Sequence, residues 1–174
     1  MSRLSRSLAF AGALVVVAGA CGGSDPPELN LGRAEQVIRD LSTEAYSAEA
    51  SVGAVKCPER VEQRQGLVFV CTIAIDGVPL TFRVRQKDDR GNVRIEQIEA
   101  VTFTEKVEDF VASYAVQNGR PTSDVSCGEA SLTTRAPGKR FTCTVEFEDG
   151  TAGTARLVVR DTAGNVGLQS LSNS

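Results

Sequence analysis

An eight-residue segment occurs twice in this chain with its cysteine in register, as Gly66-Leu67-Val68-Phe69-Val70-Cys71-Thr72-Ile73 and as Gly138-Lys139-Arg140-Phe141-Thr142-Cys143-Thr144-Val145. A repeat of spacing constrains the fold more than any single motif, because each copy must build the same supersecondary unit. Downstream, Asp76-Gly77 is matched by Asp149-Gly150 and Gly91-Asn92-Val93 by Gly164-Asn165-Val166, with one residue inserted before the second Asp-Gly. A hairpin turn or bulge absorbs such an insertion. Upstream, Cys57 answers to Cys127 within two residues.

Each copy opens with helical spacing. Ala34, Val37, Ile38, Leu41 and Ala45 form the apolar stripe of the first helix, and Val107, Phe110, Val111 and Tyr114 that of the second. Thr102 and Glu105 have capping-box spacing at the second start, and Asn118-Gly119 supplies a stop. After each first cysteine the period becomes two. Phe69, Cys71, Ile73 and Ile75 alternate with polar or outward positions in one copy, and Phe141, Cys143 and Val145 in the other. Asp-Gly hairpins lead to return strands through Leu80, Phe82 and Val84 and through Ala155, Leu157 and Val159, and the Gly-Asn pairs turn into last strands at Val93 and Val166. Short strands around Val52–Val55 and Asp124–Cys127 complete the sheets. The fold class expected is α+β, in two tandem repeats, each one helix packed on a small antiparallel sheet of three or four strands with one disulfide.

The start of the chain bears on location. Arg3 and Arg6 precede the uncharged run Leu8–Ala18, which ends in Ala18-Gly19-Ala20-Cys21-Gly22. Such a run is short for a bilayer span, and it ends at a small-residue cleavage site, so it reads as an export signal. Residues 1–20 are thus expected to be a signal peptide and 21–29 a lipidated Cys21 with a flexible tether, ahead of repeats at 30–101 and 102–174. Setting Cys21 aside, four of the five cysteines remain: Cys57, Cys71, Cys127 and Cys143. An even set in an exported chain implies disulfides. Three pairings are open, and the repeat favours the local ones, Cys57 with Cys71 and Cys127 with Cys143. Each closes a loop of about 15 residues, which in the chain-entropy account stabilises by about 3 kcal/mol. A four-cysteine zinc site is disfavoured by the lack of Cys-x-x-Cys.

Composition removes several function classes. Without Arg3 and Arg6 the 19 Lys+Arg against 22 Asp+Glu fall to a net charge of −5, with no basic cluster, two Tyr and no Trp, so nucleic acid is not an expected partner. His is absent, which removes the usual acid–base group near neutral pH and the commonest nitrogen ligand. The closest carboxylate sets are Asp88-Asp89, Glu96 with Glu99, and Glu146 with Glu148; turn or solvated-strand roles explain them more simply. Arg83 and Arg156 occupy equivalent outward strand positions and are the candidates for an anion-binding patch. No phosphate-cradling or nucleophile-elbow motif is present. No catalytic residue, metal or cofactor is expected.

The signal-and-cysteine start, the helix, the first cysteine, the Gly-x-x-Phe-x-Cys-Thr segment and the Asp-Gly hairpin together resemble a family of actinobacterial lipoproteins built on a domain of unknown function, family 4333. All but the start occur twice, over most of residues 29–171. The resemblance implies attachment through a diacylated Cys21, the extracytoplasmic face of the cell membrane as location, and an α+β fold; it implies no activity. The expectation is a lipid-anchored, non-enzymatic binding or scaffolding module, held to the membrane by its anchor, with an envelope protein or peptide as partner. The alternative is an inhibitor-like module, because tandem helix-plus-sheet units with one disulfide each resemble the plan of β-lactamase inhibitor proteins.

Overall fold

The computed structural model describes residues 27–173; the expected signal peptide, Cys21 and most of the tether lie outside them. In the first unit, helix α1 (Leu31–Tyr46) leads to strands β1 (Val52–Lys56), β2 (Val68–Ile75), β3 (Val78–Gln86) and β4 (Val93–Gln97), which pair antiparallel in chain order. In the second, a short strand β5 (Ala100–Phe103) precedes helix α2 (Thr104–Gln117). There follow β6 (Thr122–Ser126), β7 (Leu132–Arg135), β8 (Arg140–Phe147), β9 (Ala152–Val159) and β10 (Val166–Asn173). The second sheet, in the order β6-β8-β9-β10, repeats the plan of the first. The architecture is therefore α+β with one four-stranded sheet and one helix per unit.

Alternation sets the inner faces. Phe69, Cys71, Ile73 and Ile75 of β2 face Leu80, Phe82 and Val84 of β3 inside the first core, and Cys143, Val145 and Phe147 face Ala155 and Leu157 in the second. Burying each large side chain contributes about 1.5–3 kcal/mol. The disulfides Cys57–Cys71 and Cys127–Cys143 tie the strand entering each sheet to its neighbour. Asp76 and Gly77 both take positive φ, 46° and 81°, as a two-residue type I′ turn requires. The second hairpin spends its extra residue on the longer loop Glu148–Thr151, where Phe147 and Thr151 close it through the Thr151 carbonyl.

Two expectations need correction. The buried helix stripes are narrower than the apolar ones: Ala34, Ile38, Ser42 and Tyr46 are buried in α1, whereas Val37 and Leu41 stay 39% and 48% exposed. In α2, Val107, Val111 and Ala115 are buried, and Phe110 and Tyr114 are not. A sheet covers only one line of i, i+4 positions, so neighbouring apolar residues remain outside. Nor does Thr102 cap α2. It belongs to β5, opposite Thr133, and its hydroxyl is 2.8 Å from that of Thr133, while the helix begins two residues later with Thr104.

Strands β5 and β7 join the units. They pair with each other, and their Val101 and Leu132 complete the core of the first unit. The Thr134 hydroxyl donates to the Pro79 carbonyl across the junction at 3.0 Å. Gln97 donates to the Tyr46 hydroxyl at 3.0 Å, to the Glu99 carbonyl and, across the junction, to the Thr162 carbonyl at 2.8 Å. A residue boundary at 101/102 thus falls inside β5.

Candidate functional site

The last turn of each sheet has the same construction. Asp88 accepts from the backbone N–H of Arg90 and Asn92 and from the Asn92 side chain; Asp161 does the same for Ala163 and Asn165. Hydrogen bonds to the ionised form favour it. The Asn92 side chain, then the Arg90 N–H, hold Asp88 below the usual carboxylate range, and the Asn165 side chain does so for Asp161. These turns carry Gly91 at φ 84° and Gly164 at φ 89°, a region that disfavours any side chain.

Each turn overhangs its helix and leaves a cleft between them. In the first unit the cleft is about 530 Å³, with Arg33, Ala34, Val37 and Leu41 on the helix side, Arg90, Gly91, Asn92, Val93 and Ile95 on the turn and β4 side, and Glu28, Asn30 and Gln63 at one end. In the second unit a cleft of about 490 Å³ is lined by the counterparts displaced by 73 residues, among them Lys106, Val107, Phe110, Gly164, Asn165 and Val166. The difference is a wall. Ala45, Tyr46 and Glu49 of the first unit line the second cleft, with the Glu49 carboxylate 2.6 Å from Lys106 Nζ. The first cleft is lined by residues of the first unit alone. Its arginines, Arg33 and Arg90, make no ion pair among the described residues, while Glu28 lies 3.7 Å from Arg60. Apolar side chains beside two guanidinium groups that are unpaired among the described residues, with Glu28 at one end, can hold an amphipathic group that carries an anion.

The residues singled out in the sequence have other settings. Cys57, Cys71, Cys127 and Cys143 are all in disulfides, which excludes them as thiolate ligands. Cys21 lies outside the described residues. Asp88 is the acceptor of its turn, and Asp89 accepts from the Gln65 N–H at 2.6 Å. Glu96 pairs with Arg94 at 2.6 Å, and Glu99 accepts from the Thr81 N–H at 3.1 Å. Glu146 and Glu148 are exposed and face no shared cleft. Hydrogen bonds from the Ser51 N–H and hydroxyl hold the Asp76 carboxyl below the usual carboxylate range, and those from the Thr151 hydroxyl and N–H do so for Asp149. Arg83 and Arg156 do stand at equivalent outward positions, opposite Val70 and Thr142, on exposed sheet faces without an aromatic neighbour across the strand pair.

The cleft residues were visible in the sequence only as apolar stripe positions. Their signal was the surplus: a stripe wider than one sheet can bury leaves a margin, and here that margin is Val37, Leu41, Phe110 and Tyr114. Among the described residues no helix is long and apolar enough to cross a membrane.

Fold and cleft together define a disulfide-bonded α+β module in two like units, fused through a shared core. Residues 12–91 match a family model described as Domain of unknown function (DUF4333). That match covers the first unit as far as Gly91 and extends upstream of the described residues. No curated protein and no solved structure matches the chain.

Proposed function

We propose that this chain is a lipid-anchored, extracytoplasmic binding module without catalytic activity, of the actinobacterial lipoprotein type, whose second unit is a diverged second copy of the same domain. The observation that carries the binding reading is the first cleft, whose apolar side chains Val37, Leu41 and Ile95 are flanked by Arg33 and Arg90, neither of them ion-paired among the described residues. The 73-residue correspondence of turn, helix and cleft supports a common origin for the units. The anchor rests on the charged start, the short apolar run and Cys21. Diacylation at Cys21 would hold the body at the membrane surface, with Gly22–Pro27 as spacer.

The test is crosslinking in intact cells followed by affinity purification and mass spectrometry, with the native chain, Cys21→Ala and Leu41→Glu compared. A recurrent envelope protein or peptide, depleted in both variants, supports an anchored module that binds through the first cleft. Retention of native membrane attachment by Cys21→Ala contradicts the anchor, and an unchanged set of partners in Leu41→Glu contradicts the cleft.

A further inference from the structure

Pro27, where the tether meets the folded body, is fixed to one end of the first sheet. Its carbonyl accepts from the Gln63 N–H at 2.7 Å, and the Gln63 side chain donates to the Asp89 carbonyl in the turn between β3 and β4. The Leu29 N–H donates to the Val61 carbonyl at 2.8 Å, and Gly91 of the same turn lies against the Leu29 side chain. The body is therefore held by its β3–β4 end. Pro27 stands six residues after Cys21, a length of chain that spans at most about 20 Å when fully extended.

Positive charge gathers at that end. Residues 27–33, the loop 57–67 and the segment 85–94 carry seven Lys and Arg against five Asp and Glu, whereas the other residues of 27–173 carry ten against sixteen. A net positive end thus belongs to a net negative body. Four of its five acids are already engaged. Asp88 and Asp89 accept N–H groups of the turn and of the adjoining loop, and Glu28 and Glu62 lie 3.7 and 3.9 Å from Arg60 and Arg64. Arg85, Lys87 and Arg90 are exposed and in no ion pair among the described residues. The second unit supplies a comparison: segment 85–94 holds four Lys and Arg against two Asp, while its equivalent 158–167 holds Arg160 against Asp161. The excess on this turn belongs to the unit that bears the tether, not to the shared plan.

We infer that the tethered end of the first unit lies against anionic phospholipid headgroups, with Arg85, Lys87 and Arg90 over the phosphates and the acidic remainder of the body directed outward. The inference rests on the lipid-anchor reading and adds an orientation to it. Basic side chains next to an anionic bilayer are drawn to its negative surface potential, which decays over a screening length of about 8–10 Å. A short tether keeps these three cations close to that layer, so attractions that are weak singly act together.

The test uses the mature chain purified from cells and reconstituted into lipid nanodiscs that carry a nitroxide on some headgroups. Broadening of backbone amide NMR signals reports which residues lie at the surface. Discs of phosphatidylcholine are compared with discs of equal parts phosphatidylcholine and phosphatidylglycerol. The expected result is broadening around Leu29, loop 57–67 and turn 85–94, stronger in the anionic discs and reduced to the neutral-disc level in about 1 M salt, where the screening length is about 3 Å. Arg85→Gln, Lys87→Gln and Arg90→Gln together remove the anionic excess. Lys139→Gln, Arg140→Gln and Arg156→Gln, the same change of net charge in the second unit, leave it in place. Broadening that is equal in both discs, lost equally in both triple variants, or strongest on the second unit overturns the proposal. The mass of the purified chain separates the two readings. A chain without acyl groups on Cys21 overturns the anchor and this orientation with it, whereas an acylated chain with equal broadening in both discs overturns the orientation alone.

Discussion

The first unit borrows its core from the second, and the second borrows the wall of its cleft from the first. Val101 and Leu132 sit among Ile38, Ile73 and Phe82, while Tyr46 and Glu49 line the second cleft and Glu49 pairs with Lys106. Two units of one plan have thereby become unequal: one completes its core with residues of the other, and the other has its neighbour's helix end in the wall of its cleft. Asymmetry in a duplicated fold arises wherever a junction can serve only one side.

The disulfides give the largest test of that exchange. Loss of either bond by paired Cys→Ala substitution is expected to cost about 3 kcal/mol, as for loops of about 15 residues. The consequences should differ in reach, because Leu132 lies within the loop closed by Cys127–Cys143. Removing that bond should lower hydrogen-exchange protection in β2 and β3 as well as in β8 and β9. Protection lost from the second sheet alone would break the comparison.

The two turn glycines sharpen it next. A Cβ at Gly91 meets only Leu29 Cδ1 at 3.5 Å and the end of Gln63, so Gly91→Ala should cost mainly the left-handed backbone penalty, about 1–2 kcal/mol. At Gly164 the Cβ would overlap the Val101 carbonyl oxygen. Gly164→Ala therefore adds an overpacking cost of about 1–3 kcal/mol, and urea midpoints of the two variants should separate accordingly. Equal midpoints would mean that the β5 backbone yields freely.

Ser42 and Ala115 are a further contrast between equivalent positions. Ser42 Oγ is buried without a hydrogen-bond partner, whereas the second unit has solved the same position with alanine. Ser42→Ala should raise stability by about 1 kcal/mol, through relief of the unmet hydroxyl and better helix propensity, and thermal unfolding would show it. A lowered midpoint would indicate that the hydroxyl has a role in the fold.

The smallest effect is shared by both units. Asp76, Asp88, Asp149 and Asp161 all have carboxyls held below the ordinary range by hydrogen bonds in turns. Groups depressed on folding contribute stability above their unfolded value, about 3.9, and that contribution is lost as pH falls through the folded values. Asp76 and Asp149 are exposed and Asp88 and Asp161 only half-buried, so denaturant midpoints should decline only gently below pH 4. NMR titration of these carboxyls should place them below free aspartate, and values at or above it would contradict the turn geometry.

Much of this fold was legible in the residues. Period-two alternation identified β2, β3, β8 and β9 with their inner faces, the Asp-Gly pairs gave the hairpins, and the repeat selected the disulfide pairing. Strands β5 and β7 were not legible, because four-residue runs such as Ala100-Val101-Thr102-Phe103 are too short to show a period and find their partner some 30 residues away. Thr102 had the spacing of a cap, yet its hydroxyl had a stronger offer in Thr133 and Arg135. Buried Gln86 escaped for a related reason: it continues the β3 alternation as a polar residue and is satisfied by the Arg64 N–H and the Glu62 carbonyl from a distant loop. The cleft was half legible. Periodicity marks which helix face is apolar, but the width of the stripe that the sheet buries is decided by packing.

Leu132→Ala, followed by hydrogen exchange across both sheets, tests most directly that the two units are one cooperative body. Removing a fully buried leucine supplied by the second unit should cost about 2–5 kcal/mol. The account predicts that the slowest amides of β2, β3, β8 and β9 lose protection together by that amount. Loss confined to one sheet, with the other at its original protection, would show two independent domains and would contradict the exchange of core and wall between them.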